Sequence, residues 1–253
     1  RIALSMIEAA EKEGVLNHNK IILEATSGNT GIGLALVSAI KEYKVILTMS
    51  AAMSEERKKM LKAFGAEIIE TDPIKGTDGA IIKAKEMYQE NPEKYWMPNQ
   101  FANKHNPLIH YYETADEIIN QIPEIDVFVA GMGTSGTLMG ISKKLKQHNS
   151  KIKIVGIEPE LRHNIQGLKN MKEAMVPDIY NEEKLDYKIV VKTKDAYKIA
   201  RQLAIKEGLF VGMSSGAAMF AALKTAEQMR EGTIVVLLPD RGEKYLSTTL
   251  FDK

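Results

Sequence analysis

An α/β fold built on parallel sheets is predicted by two features of the chain. Short apolar runs alternate with amphipathic stretches along nearly its whole length, and the runs are continuously apolar rather than interrupted at every second residue. Alternation of strand and helix implies βαβ crossovers, and so parallel pairing. Continuous apolarity implies a sheet covered by helices on both faces, because a strand with one wet face would show a period of two. At 253 residues the chain has room for one large domain or two small ones, taking about 150 residues per domain.

The chain opens in a helix: Ile2, Ala3, Met6, Ile7 and Ala10 recur at helical spacing, and Gly14 follows where a left-handed residue would end it. Strands are then predicted at 21–25, 45–49, 66–70, 126–130, 152–157, 188–191 and 233–238, and helices at 29–43, 54–64, 77–91, 136–147, 194–207 and 215–230. Ser54 and the charged run Glu55-Glu56-Arg57-Lys58-Lys59 read as a capping serine and a solvated helix face. No Gly/Ser-rich linker divides the chain. The boundary is placed after the single Trp96 and before the next helix, giving a smaller domain at 1–103 and a larger one at 104–253. The triplet Thr26-Ser27-Gly28 recurs as Thr134-Ser135-Gly136, each time between a strand and a helix. Shared loop chemistry explains this better than duplication, since the flanks do not match.

Composition narrows the function. Lys and Arg number 34 against 33 Asp and Glu, so no basic excess is available to neutralise a nucleic acid backbone. The chain has no Cys, which removes disulfides, thiolate nucleophiles, iron–sulfur clusters and zinc sites of the Cys type, and fits a cytoplasmic location. The longest apolar stretches, 31–40 and 234–239, are shorter than the ~18–20 residues of a membrane-spanning helix. The first residues run into a helix with no leader pattern, so neither a membrane nor a targeting segment is expected. His18, His105, His110, His148 and His163 show no i, i+4 pairing around a Glu, so no metal site is expected and surface or capping roles are the default. The 13 Met residues read as core filler.

Three loops concentrate chemistry. Thr26-Ser27-Gly28-Asn29-Thr30-Gly31 follows an apolar strand and opens a helix, where exposed amides favour an anion such as a carboxylate. Gly131-Met132-Gly133-Thr134-Ser135-Gly136-Thr137 contains G-x-G-x-x-G, with Glu158 at the end of the next strand, as in a dinucleotide fingerprint. The hydroxyls of Thr134, Ser135 and Thr137 instead suit a terminal phosphomonoester with more oxygens to satisfy. A nicotinamide-dependent dehydrogenase using Gly131, Gly133, Gly136 and Glu158 is the alternative. Gly212-Met213-Ser214-Ser215-Gly216 matches a hydrolase nucleophile elbow, but no His follows Ser214 in the chain as that fold requires.

In order, TSGNT (26–30), PNQFAN (98–103), GTSGT (133–137), GMSSGAA (212–218) and LPDRGEKYLST (238–248) resemble the cysteine synthase and cystathionine β-synthase family. MSEERKKMLKAFGAEIIET (53–71) adds to the resemblance, which spans essentially the whole chain. It implies a fold type II pyridoxal phosphate enzyme of the tryptophan synthase β-like kind: two three-layer α/β domains, a cofactor cleft between them, and a homodimer. By resemblance, Thr26, Ser27, Gly28 and Thr30 grip the substrate carboxylate with help from Gln100, while Asn29 reaches the cofactor's 3′-oxygen. Gly133, Thr134, Ser135, Gly136 and Thr137 would hold the cofactor phosphate, and Ser214 would face the pyridine nitrogen.

The implied reaction is β-replacement or β-elimination on a serine- or cysteine-type amino acid, with sulfide arriving or departing. The resemblance puts the Schiff-base lysine immediately upstream of Arg1. Two departures stand out: Ser135 replaces a usual glycine, a mild change because its N–H remains, and 167–174 reads GLKNMKEA where the family has a short Gly-rich stretch. Bulk there favours small leaving groups, hence turnover of cysteine to hydrogen sulfide. Asp186 is the candidate base for that chemistry, its competing reading being a carboxylate at a strand entry.

Overall fold

The computed structural model describes residues 1–252, which form two compact units, Arg1–Asn106 and from Pro107 onward. In the first unit, α1 (Ile2–Lys12), β1 (Ile21–Ala25), α2 (Asn29–Ile40), β2 (Val45–Ser50), α3 (Glu55–Ala63), β3 (Glu67–Thr71) and α4 (Gly76–Glu90) alternate as predicted, and a short strand that was not predicted, β4 (Tyr95–Trp96), follows. The four strands form an all-parallel sheet in the order β3-β2-β1-β4. Apolar side chains leave β1 on both sides. Ile22 joins Met6, Ile7, Leu34 and Leu61 from α1, α2 and α3. Leu23 and Ala25 meet Ala80, Ile81 and Ala84 of α4 on the other face. Each large aliphatic buried this way contributes about 1.5–3 kcal/mol. Gly14, at φ 72°, closes α1 in the left-handed region where an added Cβ would be strained.

One expectation for this unit needs correcting. Ser54 stands at the N-cap of α3 without a side-chain cap bond, and the face read as solvated is not so: Arg57 and Lys58 are buried. The Lys58 ammonium is satisfied by the Ala51 carbonyl, Glu55 and Glu70.

The second unit contains α5 (His105–Ile109, begun in the first unit), a π turn (His110–Thr114), α6 (Ala115–Gln121), β5 (Val127–Gly131), α7 (Gly136–His148), β6 (Lys153–Pro159), β7 (Tyr187–Val191), α8 (Thr193–Glu207), α9 (Met213–Ala226) and β8 (Ile234–Val236). Its strands are again parallel, in the order β7-β6-β5-β8. Val127 and Val129 pack with α8 and α9, while Phe128 and Ala130 pack with α6 and α7. Among the described residues no helix is long and apolar enough to cross a membrane.

Candidate active site

A parallel sheet flanked by helices offers ligands the carboxyl ends of its strands, at the point where successive crossovers turn to opposite sides. In the first unit that point lies between β1 and β4, because β2 and β3 were laid down on one side of β1 and β4 on the other. The loop leaving β1 is Thr26-Ser27-Gly28, and the loop leaving β4 carries Asn99 and Gln100.

These two loops are joined. The Thr30 hydroxyl donates to Gln100 Oε1 at 2.7 Å, Gln100 Nε2 donates to the Ala25 carbonyl at 3.2 Å, and Asn106 Nδ2 holds the Gln100 carbonyl at 2.8 Å. The Gly28 amide donates to Thr26 Oγ1 at 3.2 Å, and buried Arg57 reaches the Ser27 carbonyl at 3.2 Å. Gly28 is the N-cap of α2 and has no side chain to cap the helix, whose amino end is the kind of place that favours an anion. Asn29 is exposed and Ser27 and Gly28 half-buried, which leaves that face open to a ligand. Immediately upstream, Glu24 is a carboxylate among apolar neighbours, only 2% exposed. Burial pushes its pKa up to about 7, against the pull of the Asn99, Gln100 and Ala25 amides and the Gln100 side chain. The sequence did not single it out, although one acid inside an apolar strand was the available signal.

In the second unit the corresponding point lies between β5 and β8. The loop leaving β5 runs through Gly133 to Ser135, the left-handed N-cap of α7 at φ 68° and ψ −3°. That conformation explains why glycine is usual there, since a side chain in it costs about 1–2 kcal/mol. The hydroxyls expected to point at a phosphate are partly spent on the loop itself. Ser135 Oγ donates to the Thr134 carbonyl, Thr134 Oγ1 accepts from the Gly136 amide, and Thr137 Oγ1 bonds His110 Nε2 at 3.1 Å. His110 Nδ1 in turn meets Thr114 Oγ1 at 2.9 Å. His110 therefore has a bracing role that the default surface reading missed; the π turn that aims it breaks the 3.6-residue period.

The 165–171 segment lies directly on this loop. The Lys169 amide donates to the Met132 carbonyl at 2.8 Å, and a Cβ added to Gly133 would come 2.4 Å from the Gly167 carbonyl oxygen. Ser214 sits in the first turn of α9, buried. Its turn is tied to the loop leaving β8: the Gly212 amide and Ser215 Oγ both donate to the Asp240 carbonyl, and the Tyr245 hydroxyl donates to Asp240 Oδ2 at 2.7 Å.

Two candidates fall outside this constellation. The Asp186 amide bonds the Ile154 carbonyl and its carboxylate accepts from the Ile154 amide, at the amino end of β6 and opposite the loop edge. Lys146 at 2.9 Å and Lys153 at 3.1 Å complete its surroundings. Burial alone would raise its pKa, but the Lys146, Ile154 and Lys153 bonds hold it below the usual carboxylate range. A base must lie within reach of its proton; Asp186 is a strand-entry carboxylate and takes no part at the loops. Glu158, the would-be ribose ligand, accepts from the Met171 amide at 3.1 Å and pairs with Lys188 at 3.4 Å, which pins the segment after β6.

What remains at the second edge fits a phosphorylated pyridine. The small residues form a backbone cradle that a Cβ at Gly133 would fill, α7 presents its amino end, and a neutral hydroxyl at Ser214 is available for a ring nitrogen.

The comparisons agree over the whole length. A cysteine synthase of Aquifex aeolicus (strain VF5) is 48% identical over 257 residues, covering 99% of this chain and 79% of that protein. One from Staphylococcus aureus (strain Mu50) is 44% identical, covering 99% and 84%. Among solved structures, cysteine synthase from Entamoeba histolytica superposes with a TM-score of 0.92 at 42% identity, covering 100% of this chain and 77% of that one. A hydrogen sulfide-producing enzyme from Fusobacterium nucleatum gives 0.92 at 42% identity, covering 97% and 86%. The fold type II architecture expected from the resemblance is thus the one found. The family model for pyridoxal-phosphate dependent enzymes matches residues 1–240, which ends the nicotinamide reading of Gly131, Gly133 and Gly136: this chain belongs to the pyridoxal-phosphate dependent enzyme family.

Proposed function

We propose that the protein exchanges the β-substituent of a serine- or cysteine-type amino acid, with sulfide as the incoming or departing group. The observation that carries the reading is the pair of anion-ready loops, each at the switch point of its own sheet, in a chain alike throughout to cysteine synthases. Bound pyridoxal phosphate supplies the electron sink that loosens the Cα–H and Cβ–substituent bonds.

The chain's own residues do the rest. Amides and hydroxyls at Thr26, Ser27, Gly28 and Thr30, braced by Gln100, orient the substrate carboxylate. Gly133, Thr134, Ser135, Gly136 and Thr137 would retain the phosphate, and Asn29 would bond the cofactor's 3′-oxygen. Ser214, a neutral hydroxyl, does not hold a ring nitrogen protonated as a carboxylate would. Opposite such a hydroxyl the cofactor would supply a weaker electron sink, which would favour prompt departure of the β-substituent over prolonged chemistry at Cα.

The 165–171 cover over Met132 and Gly133 supports small leaving groups, and so the hydrogen sulfide-forming direction from cysteine. The same reading makes the protein a homodimer of the cytosol, where sulfide and thiols persist reduced; sedimentation and fractionation test both. The deciding experiment supplies the holoenzyme with L-cysteine alone and follows sulfide, serine and pyruvate, then with O-acetylserine and sulfide. Sulfide with serine means replacement by water, and sulfide with pyruvate means elimination. Rapid cysteine formation from O-acetylserine without any sulfide release from cysteine reverses the preferred direction. No turnover in either assay overturns the reading.

A further inference from the structure

The first unit holds a buried acid that the proposed chemistry does not use. Glu24 is the fourth residue of β1, so it shares the Ile22 face of the sheet, under α1, α2 and α3. Its charged form is favoured by the amides of Asn99, Gln100 and Ala25 and by the Gln100 side chain, while its Oε2 has no hydrogen-bond partner among the described residues. Asn99 takes a left-handed backbone at φ 50°, which asparagine adopts more readily than other non-glycine residues and which turns the chain sharply there. Gln100, the next residue, is the one that ties into Thr30 and Ala25.

We propose that Glu24 is a positioning residue: its carboxylate holds the Asn99-Gln100 turn, and through Gln100 the Thr26–Thr30 loop, in the geometry that captures the substrate carboxylate. This rests on that loop being the carboxylate site, and it gives substrate capture a dependence on one proton. With Glu24 ionised, the amides of the turn make charge-assisted bonds; with it protonated, those bonds weaken to neutral ones and the extra hydrogen has no acceptor at Oε2.

Of the other charges on the packed elements, only Arg57 touches the same loop, at the Ser27 carbonyl rather than at the Asn99-Gln100 turn. β2 and α2 contain no ionisable side chain. On α3, which reaches the same face through Leu61, buried Arg57 donates to the Ser27 carbonyl and buried Lys58 meets the Ala51 carbonyl, Glu55 and Glu70, while Glu56 is half-buried and Glu55, Lys59 and Lys62 are exposed. On α1, Glu11 is committed to Lys41 and Tyr43, and Glu13 lies beside Lys104 and His105, while Arg1, Glu8 and Lys12 are exposed. Tyr95 of β4 packs on the opposite face, with Leu23, Ala25 and α4, the helix that bears Asp78, Lys83, Lys85 and Glu86. No charged side chain contributes to the shift of Glu24.

The test is the ratio of KM for the amino-acid substrate between the Glu24→Gln and wild-type holoenzymes, in which titration of the substrate and of every other group cancels. Glutamine keeps the size and one acceptor but cannot ionise. The ratio should stand at about fivefold near pH 8.5, the worth of roughly one charge-assisted bond, and fall toward one near pH 6, with kcat much less affected. The midpoint should follow the Glu24 titration at about 7. A ratio that stays constant across this range overturns the proposal, and so does one that moves with kcat rather than KM. Ser27→Ala, at a half-buried residue assigned to the carboxylate, separates the two readings. If it leaves substrate affinity untouched, the carboxylate loop is misassigned; if it weakens affinity while the Glu24→Gln ratio stays flat, only the role of Glu24 fails. Should the variant not fold, carboxyl-carbon NMR of labelled wild-type enzyme must still show Glu24 titrating with substrate affinity, and an affinity that ignores that titration refutes the idea.

Discussion

Gly133→Ala isolates the contact between the phosphate-type loop and the segment that covers it. The φ of Gly133 is not in the left-handed region, so its need for glycine is one of space rather than conformation. The added methyl would lie 2.4 Å from the Gly167 carbonyl oxygen, a backbone atom that cannot rotate away. Restoring an ordinary contact requires the loop and segment to separate by about 1 Å, and overpacking of that kind costs about 1–3 kcal/mol. The Lys169 amide to Met132 carbonyl bond, 2.8 Å long and one residue away, would be stretched beyond range, adding about 1 kcal/mol.

The expected loss is therefore about 2–4 kcal/mol in urea unfolding of the apoprotein, accompanied by faster loss of pyridoxal phosphate on dialysis. Gly131→Ala is the control. Its methyl would meet the Leu168 side chain, closest at Cδ2 at 2.6 Å, and the end of a leucine can turn aside, so it should cost under about 1 kcal/mol. If the two variants lose equal stability and hold the cofactor equally, the close approach is not what requires glycine at 133.

Three more outcomes follow from the same geometry. Ser135→Gly should change stability by less than about 1 kcal/mol, because relief of the left-handed strain offsets lost chain stiffness, whereas Ser135→Ala keeps the strain and loses the Oγ bond to Thr134; thermal unfolding that ranks Ala above Gly contradicts this. Asp186→Asn should turn over substrate at near the wild-type rate. Its lowered pKa stabilises the fold above the unfolded value of 3.8, a contribution lost as pH falls through the folded value, so the variant should show weaker acid sensitivity; a large fall in kcat would restore Asp186 as a base. Glu24 has the opposite sign: its pKa rises from 4.5 to about 7, so its contribution is full below 4.5 and lost as pH rises through 7. Glu24→Gln should accordingly gain about 3 kcal/mol on the wild type between pH 4.5 and 8 in urea unfolding, and a pH-independent difference would show that Glu24 is not buried as an acid.

What could be read beforehand, and what could not, divides along a physical line. A strand such as β5 announces itself because a covered parallel strand needs an unbroken apolar run. β4 was missed because it is two residues long, Tyr95 and Trp96, and a period cannot be read from two residues. Residues 105–121 carry a π turn, so their apolar positions fall out of the helical period. The loops themselves were legible as loops, but the use of their hydroxyls was not. Whether Ser135 Oγ turns outward or onto the Thr134 carbonyl depends on a backbone dihedral, and whether Thr137 is braced depends on His110, 27 residues away. Arg57 and Lys58 looked solvated because the carbonyl of Ser27 and the side chain of Glu70, which help satisfy them, are distant in sequence. Asp186 lies just before the edge strand β7, at the end of the sheet opposite the loops, a distinction that only register supplies.

The recurrence of Thr-Ser-Gly can now be argued from the sheets. Both units place the triplet after the strand beside the switch point, β1 in the order β3-β2-β1-β4 and β5 in the order β7-β6-β5-β8. In both, the threonine hydroxyl oxygen accepts from the amide of the glycine, at 3.2 Å and 3.4 Å. Yet the triplets are used one residue out of step: Gly28 is the N-cap of α2, whereas Gly136 is the first residue of α7 and Ser135 is its left-handed cap. Copying alone would have preserved the register, whereas a shared demand for a tight, small-residued turn with outward amides would not. The two turns also differ in what covers them. The first leaves Asn29 exposed, while the second has Ser135 and Gly136 buried and the 165–171 segment bonded across Met132. An open loop suits a ligand that must enter and leave at every turnover, and a covered loop suits one that stays. That difference, rather than the triplet, is the physical ground for giving the substrate to Thr26–Thr30 and the phosphate to 133–137.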